Sequence, residues 1–231
     1  MSALFGWVDI HRPRLLEKFE RLRNTLAALR TGYEDFYVND KVGIGRFHHG
    51  LLFPSSQPVW SRSRRVALFL DGYLFLNDTD DFSTFEQKSE EVLQKIVEEY
   101  EGKGIQFIRG IRGGIFNLLI LDNAENKLYI LNDRLGLLPL YYLEEGEAFG
   151  FSPLARPLAE SGNNAEVVDE IALSELLLYG WMVGERTAYR QVKLMSPASI
   201  LTYDLSEGTL RKETYDRLHH QRGEKKGSHS E

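Results

Sequence analysis

The stretch Asn132-Asp133-Arg134-Leu135-Gly136-Leu137-Leu138-Pro139-Leu140-Tyr141-Tyr142 lies between two hairpin patterns. Upstream, Gly113-Gly114 leads into the apolar run Ile115 to Leu121. Asp122-Asn123-Ala124-Glu125-Asn126 then reads as a turn, and Lys127 to Leu131 returns as a second strand. Downstream, Pro139 to Leu143 and Ala148 to Phe151 read as another pair around Glu144-Glu145-Gly146.

Outward from this centre the pattern changes. Leu4 to Ile10 is an almost unbroken apolar run, expected to be a strand buried on both faces. Pro13 opens a predicted helix to about Arg30, with Leu15, Leu16, Phe19, Leu22, Leu26 and Leu29 at helical spacing and Gly32 as its stop. Short strands are expected at Phe36 to Val38, Val42 to Arg46 and Val66 to Leu70, with a turn at Pro54-Ser55-Ser56-Gln57-Pro58 and Gly72 just after the third strand. A second helix spans about Phe82 to Tyr100, ended by Gly102 and Gly104, and a third spans Glu170 to Tyr179. A strand at Ser199 to Tyr203 closes the fold. After Arg211 the chain turns polar, and its last dozen or so residues have a disordered composition. Antiparallel hairpins with helices grouped at intervals argue for an α+β protein. Residues 1–210 are expected to form one domain, with 211–231 a polar tail.

Composition narrows the function classes. The chain has 231 residues, 42 % of them hydrophobic and 27 % charged, which are ordinary values for a globular protein. A domain this long buries roughly 70–75 % of its unfolded surface and needs no covalent staples. The net charge is −6 and the basic run Arg62-Ser63-Arg64-Arg65 is short, so no nucleic-acid partner is expected. No signal peptide or membrane span is read near the start, and a cytoplasmic location with no membrane partner is the expectation. Cysteine is absent, which excludes disulfides, thiolate metal sites and a Cys nucleophile. His48-His49 and His219-His220 are poor metal pairs, because neighbours on a strand point to opposite faces. Gly110, Gly113 and Gly114 are not followed by the Lys-Ser or Lys-Thr of a phosphate loop. No metal and no cofactor is therefore expected.

Several strings together resemble the glutaminase domain of the asparagine-synthetase-type class II amidotransferases. Gly114-Ile115-Phe116-Asn117-Leu118-Leu119-Ile120-Leu121-Asp122 is similar to the family's GMFAFALYD, and the stretch quoted first to its RDRLGIKPLYY. Tyr179-Gly180-Trp181-Met182-Val183-Gly184-Glu185-Arg186-Thr187 resembles GYVPGPRT, and Lys193-Leu194-Met195-Ser196-Pro197-Ala198 resembles RLPPG. Glu213-Thr214-Tyr215-Asp216 sits where the family crosses into its second domain. The resemblance covers roughly residues 1–218. It implies an N-terminal-nucleophile (Ntn) hydrolase-like fold, a four-layer αββα sandwich, and a tail that starts a linker to a synthetase domain. The Asp-Arg-Leu-Gly string carries the fold rather than the chemistry: Asp133 and Arg134 read as a turn-fixing pair, and Gly136 as a residue at a special backbone angle.

In that family Met1 is removed, and an N-terminal Cys attacks the glutamine amide with its own α-amine as base. An Asn side chain and a Gly N–H hold the oxyanion. An Arg grips the substrate α-carboxylate, and an Asp its ammonium. Here Ser2 stands at the nucleophile position, in Met1-Ser2-Ala3-Leu4-Phe5-Gly6-Trp7. Asp71 and Gly72 stand at the oxyanion positions. Gly72 can still offer its N–H, but an ionised Asp71 has no proton to donate. Ser89 replaces the ammonium-binding Asp; read from the residues alone, it is a helix cap. Arg46 falls at the carboxylate-binding position, and read alone it either faces a pocket or is a surface charge.

Nucleophile, oxyanion donor and ammonium clamp thus depart together. The expectation is a glutamine amidotransferase type 2-like domain without glutaminase activity, a structural or partner-binding unit. Its expected partner is an ATP-using synthetase domain or chain of the asparagine-biosynthesis type, since the nucleotide loop Ser-Gly-Gly-x-Asp-Ser is absent here. The family's frequent dimerisation adds a second copy to the expected partners. The alternative is an N-terminal Ser2 amidohydrolase acting on glutamine or another amide.

Overall fold

Strand alternation sorts the apolar side chains onto two sheets. The computed structural model describes residues 3–11, 14–26, 32–50, 56–76, 89–163 and 167–217. Among them, one antiparallel sheet contains β1 (Ala3–Asp9), β2 (Tyr33–Val38), β3 (Val42–His48), β8 (Tyr141–Glu145), β9 (Ala148–Ser152) and β10 (Val192–Leu194). Its order is β10-β8-β9-β1-β3-β2. The other contains β4 (Val59–Trp60), β5 (Val66–Phe75), β6 (Gly113–Asp122), β7 (Lys127–Asn132), β11 (Ser199–Asp204) and β12 (Thr209–Thr214). Its order is β12-β11-β7-β6-β5-β4.

The central strands are apolar on both faces because both faces are covered. Along β1, Leu4 and Val8 point into the core between the sheets, while Phe5 and Trp7 pack outward with Phe19 and Leu22 of α1 (Leu15–Thr25). Along β5, Ala67 and Phe69 face the inter-sheet core. Val66, Leu68 and Leu70 face Leu93, Ile96 and Val97 of α2 (Ser89–Lys103). The short α3 (Ala155–Ser161) joins α1 on the outside of the first sheet through Leu158 and Ala159. The layers run helix, sheet, sheet, helix, the expected αββα sandwich. The last helix, α4 (Glu170–Tyr179), buries only Ala172. No helix among the described residues is long and apolar enough to cross a membrane.

The stretch that decided the fold carries the chain from one sheet to the other. The Asp133 carboxylate accepts from the backbone N–H groups of Leu135 at 2.9 Å, Leu137 at 3.1 Å and Phe116 at 3.3 Å. Asn132 accepts from Ser199 N and donates to the Ser196 carbonyl, both at 2.9 Å, which fixes the approach of β11. Gly136 has φ +61°, and a Cβ there would stand 3.2 Å from Pro197 Cγ. The pair expected between Asp133 and Arg134 is not formed. Arg134 binds Asp216 at 2.6 Å instead, because Asp133 is already saturated by backbone donors.

Other differences concern element ends. β5 runs on through Asp71 and Gly72 to Phe75 rather than ending at Leu70, since β6 pairs with it along its whole length. β8 starts at Tyr141 and not at Pro139, which has no N–H to give a ladder. β12 pairs with β11 from Thr209 to Thr214, so residue 210, the expected domain boundary, falls inside a strand. Pro13 and residues 27–30 and 82–88, expected to be helical, lie outside the described residues, as do Pro54, Ser55 and the tail beyond residue 217.

Candidate functional site

Register and the facing sheets bring Arg46 to Leu70 and Asp71 of β5. Ala3, the first described residue of β1, pairs with Phe47 on β3, and Leu4 pairs with Arg46. On the other side of β3, Asp35 of β2 is opposite Arg46. Residues opposite one another in a sheet point to the same face, so the Asp35 and Arg46 side chains meet. Arg46 Nη2 lies 2.6 Å and Nε 3.1 Å from Asp35 Oδ2. Nη1 donates across the sandwich to the carbonyl of Leu70 at 3.3 Å. Gln57 holds the same residue, accepting from Leu70 N at 2.8 Å.

Arg46 is 0 % exposed. It is neither a surface charge nor a lining residue of the nearby cavity; its guanidinium is folded into the core against Asp35. Burial pushes that guanidinium down from its ordinary value, while the Asp35 and Asp71 carboxylates push it back up. Asp71 is itself buried, 5 % exposed, and it sits opposite Asn117 in the β5–β6 ladder. Gly72 follows at φ +90°, opposite Phe116. Ser2 lies outside the described residues. Ser89 is the first residue of α2, and its side chain also lies outside them.

One residue of the cluster was not singled out from sequence, and another was weighed only as half of a poor metal pair. Asp35 lies in Tyr33-Glu34-Asp35-Phe36, where nothing but register marks it as the partner of an arginine. His48 shares the face of Arg46, two residues along β3. Its Nε2 stands 3.2 Å from Asp35 Oδ2, and its Nδ1 accepts from Gly50 N at 3.2 Å. An accepting Nδ1 puts the proton of the neutral ring on Nε2, which is buried beside Asp35 without a well-aligned hydrogen bond to it. His49 is exposed, on the other face. A cavity of about 310 Å³ opens beside His48, lined also by Tyr33, Glu34, Asp35, Gly50 and Ser56. Among the described residues no group of three or more His, Asp or Glu side chains could hold a metal ion.

Burial lowers the pKa of His48 below 6.5, and the Arg46 cation lowers it further, with Asp35 opposing. The sign of the linkage follows. The unfolded ring takes up its proton below about pH 6.5, the folded ring only at lower pH. His48 thus contributes stability above pH 6.5 that is lost as pH falls through its folded value. Unfolding free energies from urea denaturation at pH 7.5 and 5.5 are expected to differ, by at most about 1.4 kcal/mol per pH unit from this one group. His48→Gln is expected to flatten that slope; an unchanged slope would remove His48 from the linkage.

The sandwich, the hairpin junction and the buried Arg46–Asp35 pair can be set beside known proteins. A family model described as glutamine amidotransferase domain matches residues 1–216. The chain belongs to this family. Among curated relatives of the amidotransferase domain, asparagine synthetase [glutamine-hydrolyzing] 3 of Bacillus subtilis (strain 168) is 25 % identical over 221 residues, covering 88 % of this chain and 35 % of that protein. Asparagine synthetase [glutamine-hydrolyzing] 2 of the same organism is 27 % identical over 154 residues, 62 % of this chain and 20 % of that protein. The chain therefore spans about a third or less of the curated relatives it matches.

Solved structures agree on the fold. Glutamine phosphoribosylpyrophosphate amidotransferase from B. subtilis, complexed with ADP and GMP, superposes with a TM-score of 0.57 at 13 % identity, over 94 % of this chain and 50 % of that one. A structure described as the allosteric regulatory enzyme of purine biosynthesis gives 0.58 at 14 %, over 94 % and 49 %. The amidotransferase domain thus has the Ntn-type α+β sandwich and is related to the class II glutamine amidotransferase domain of asparagine synthetases.

Proposed function

We propose that this amidotransferase domain does not hydrolyse glutamine, and that it acts as a structural or partner-binding unit for an ATP-dependent, amide-forming synthetase. The observation that carries this reading is the Arg46–Asp35 pair. The guanidinium fork that would grip a substrate carboxylate already holds an internal one, in a fully buried position. A substrate would have to displace Asp35, which lies 2.6 Å from the guanidinium and is itself nearly buried. The substitution at the oxyanion position acts in the same direction. An ionised Asp71 cannot donate to a developing oxyanion, and the loss of one such donor alone slows acyl transfer by about 10²–10³. Serine at position 2 is a weaker nucleophile than cysteine near neutral pH. The synthetase partner is supported by the names and greater length of the curated relatives. A cytoplasmic setting fits a chain without cysteine.

The test is ammonia release from glutamine by the purified chain, with removal of Met1 checked by intact mass and folding checked by thermal unfolding. No release above background is expected from folded protein that exposes Ser2. Release that disappears in Ser2→Ala would overturn the reading. One observation favours a second reading, an N-terminal Ser amidohydrolase acting on glutamine or another amide. The polar cavity beside His48 opens at the end of β3 where Ala3 begins β1. Covalent labelling of Ser2 by an amide-directed electrophile, read by mass, would support that alternative.

A further inference from the structure

In helix α4 sequence and surroundings disagree. A helix apolar all round belongs in a protein interior. In Glu170–Tyr179 only Ala172 is buried, while Leu177 is 87 % exposed and Leu178 75 %. The loop after it adds Trp181, 66 % exposed, and Val183. Trp and Tyr side chains bury about 150–250 Å² each. Tyr179 and Trp181 alone thus leave on the order of 200–300 Å² in water, and several aliphatic side chains adjoin them. Together they approach or exceed the size of a typical monomer's largest apolar patch, roughly 300–600 Å².

The patch is held in place by specific bonds. Asp169 caps the helix start, accepting from Ala172 N at 3.0 Å, and Gly180 ends it at φ +81°. Glu175 then ties down the following loop, accepting from Val183 N at 2.9 Å and from Arg186 at 2.7 Å. A surface fixed in this way loses little entropy on binding.

The residues just before α4 and the C-terminal tail do not suit it. Residues 218–231 carry one apolar side chain, Leu218, and residues 164–166 read Asn-Ala-Glu. A second copy fits poorly as well. At 100° per residue, Ile171 and Leu178 lie on one side of α4, and Leu173 and Leu177 lie on the far side. A two-fold helix-to-helix contact covers a single stripe, so the partner must offer an apolar groove. A second copy supplying that groove from another part of its surface would make an open-ended, heterologous contact. The curated relatives supply another candidate, because about two thirds of asparagine synthetase 3 is chain that has no counterpart here.

We infer that α4 and the Trp181–Val183 loop form the docking surface for the ATP-using synthetase partner, which receives the helix in an apolar groove. This rests on the functional reading above. The probe is a synthetase-type chain from the source organism that carries the Ser-Gly-Gly-x-Asp-Ser loop, purified and mixed with the full 231-residue chain. Binding by calorimetry is expected, weakened at least tenfold by Leu177→Glu with Leu178→Glu. The exposed-leucine control Leu135→Glu should leave it unchanged. Both variants are first matched to the parent by circular dichroism. Binding that the α4 variant leaves intact would overturn this surface while sparing the synthetase reading. Absence of binding would overturn both, and a homodimer made monomeric by the α4 variant would assign the face to a second copy instead. The ammonia assay judges the loss of glutaminase separately.

Discussion

Gly72→Ala is expected to destabilise the domain by about 3 kcal/mol or more. Two effects add. The residue sits at φ +90°, in a region that costs a non-glycine residue about 1–3 kcal/mol. A Cβ would also stand 2.0 Å from the Ile115 carbonyl oxygen and 3.0 Å from its carbon. That carbonyl belongs to β6, which is paired with β5 along its whole length, so it cannot retreat without disturbing this ladder. Gly102 is the contrasting case. It lies in the last turn of α2, and a Cβ added there would meet nothing within 4 Å, so Gly102→Ala is expected to stabilise by up to about 1 kcal/mol. Urea denaturation of the two variants checks both signs. A Gly72→Ala protein within about 1 kcal/mol of the parent would show that β5 tolerates a side chain at this point.

Asp35→Ala is expected to cost about 3–5 kcal/mol, the range for breaking a buried ion pair from one side. The guanidinium of Arg46 would remain in the core with the Leu70 carbonyl and the field of Asp71 to offset its burial, which argues for the lower end. Against a total stability of about 5–15 kcal/mol this is a large fraction. The double variant Asp35→Ala with Arg46→Met is expected to recover most of the loss, because it removes the buried charge together with its partner. Failure of the double variant to recover would mean that Asp35 matters through His48 or the β2 edge rather than through Arg46. The same pair links stability to function: the charge balance that keeps Arg46 folded into the core is what occupies its fork.

Much of the sandwich could be read along the chain. Ile115 to Leu121 and Lys127 to Leu131 are strands whose side chains meet a covered surface on both faces, so unbroken apolar runs mark them well. Glu170 to Tyr179 was legible to the residue, because Asp169 and Gly180 are local signals that need no tertiary partner. The end of β5 was not legible. Asp71-Gly72 looks like a stop, and only the full-length pairing with β6 carries the strand through it. β12, with Arg211, Lys212 and Glu213, has the composition of a tail; it becomes a strand because β11 offers it a ladder.

The candidate site divides in the same way. Residue types at Ser2, Arg46, Asp71, Gly72 and Ser89 are matters of sequence, and they determined which chemical groups the chain has to work with: no thiol at position 2, no amide at 71, no carboxylate at 89. Only the tertiary structure decided what Arg46 does. The pairing of β2 with β3 sets Asp35, eleven residues earlier in the chain, directly opposite it, and the second sheet closes over the pair. The exposure of α4 is likewise a tertiary outcome. Its apolar residues announce a buried helix, and their place outside both sheets leaves that burial to be completed by another surface. Local propensity acts through a few neighbouring residues, whereas charge pairing and burial depend on which distant strands are brought together.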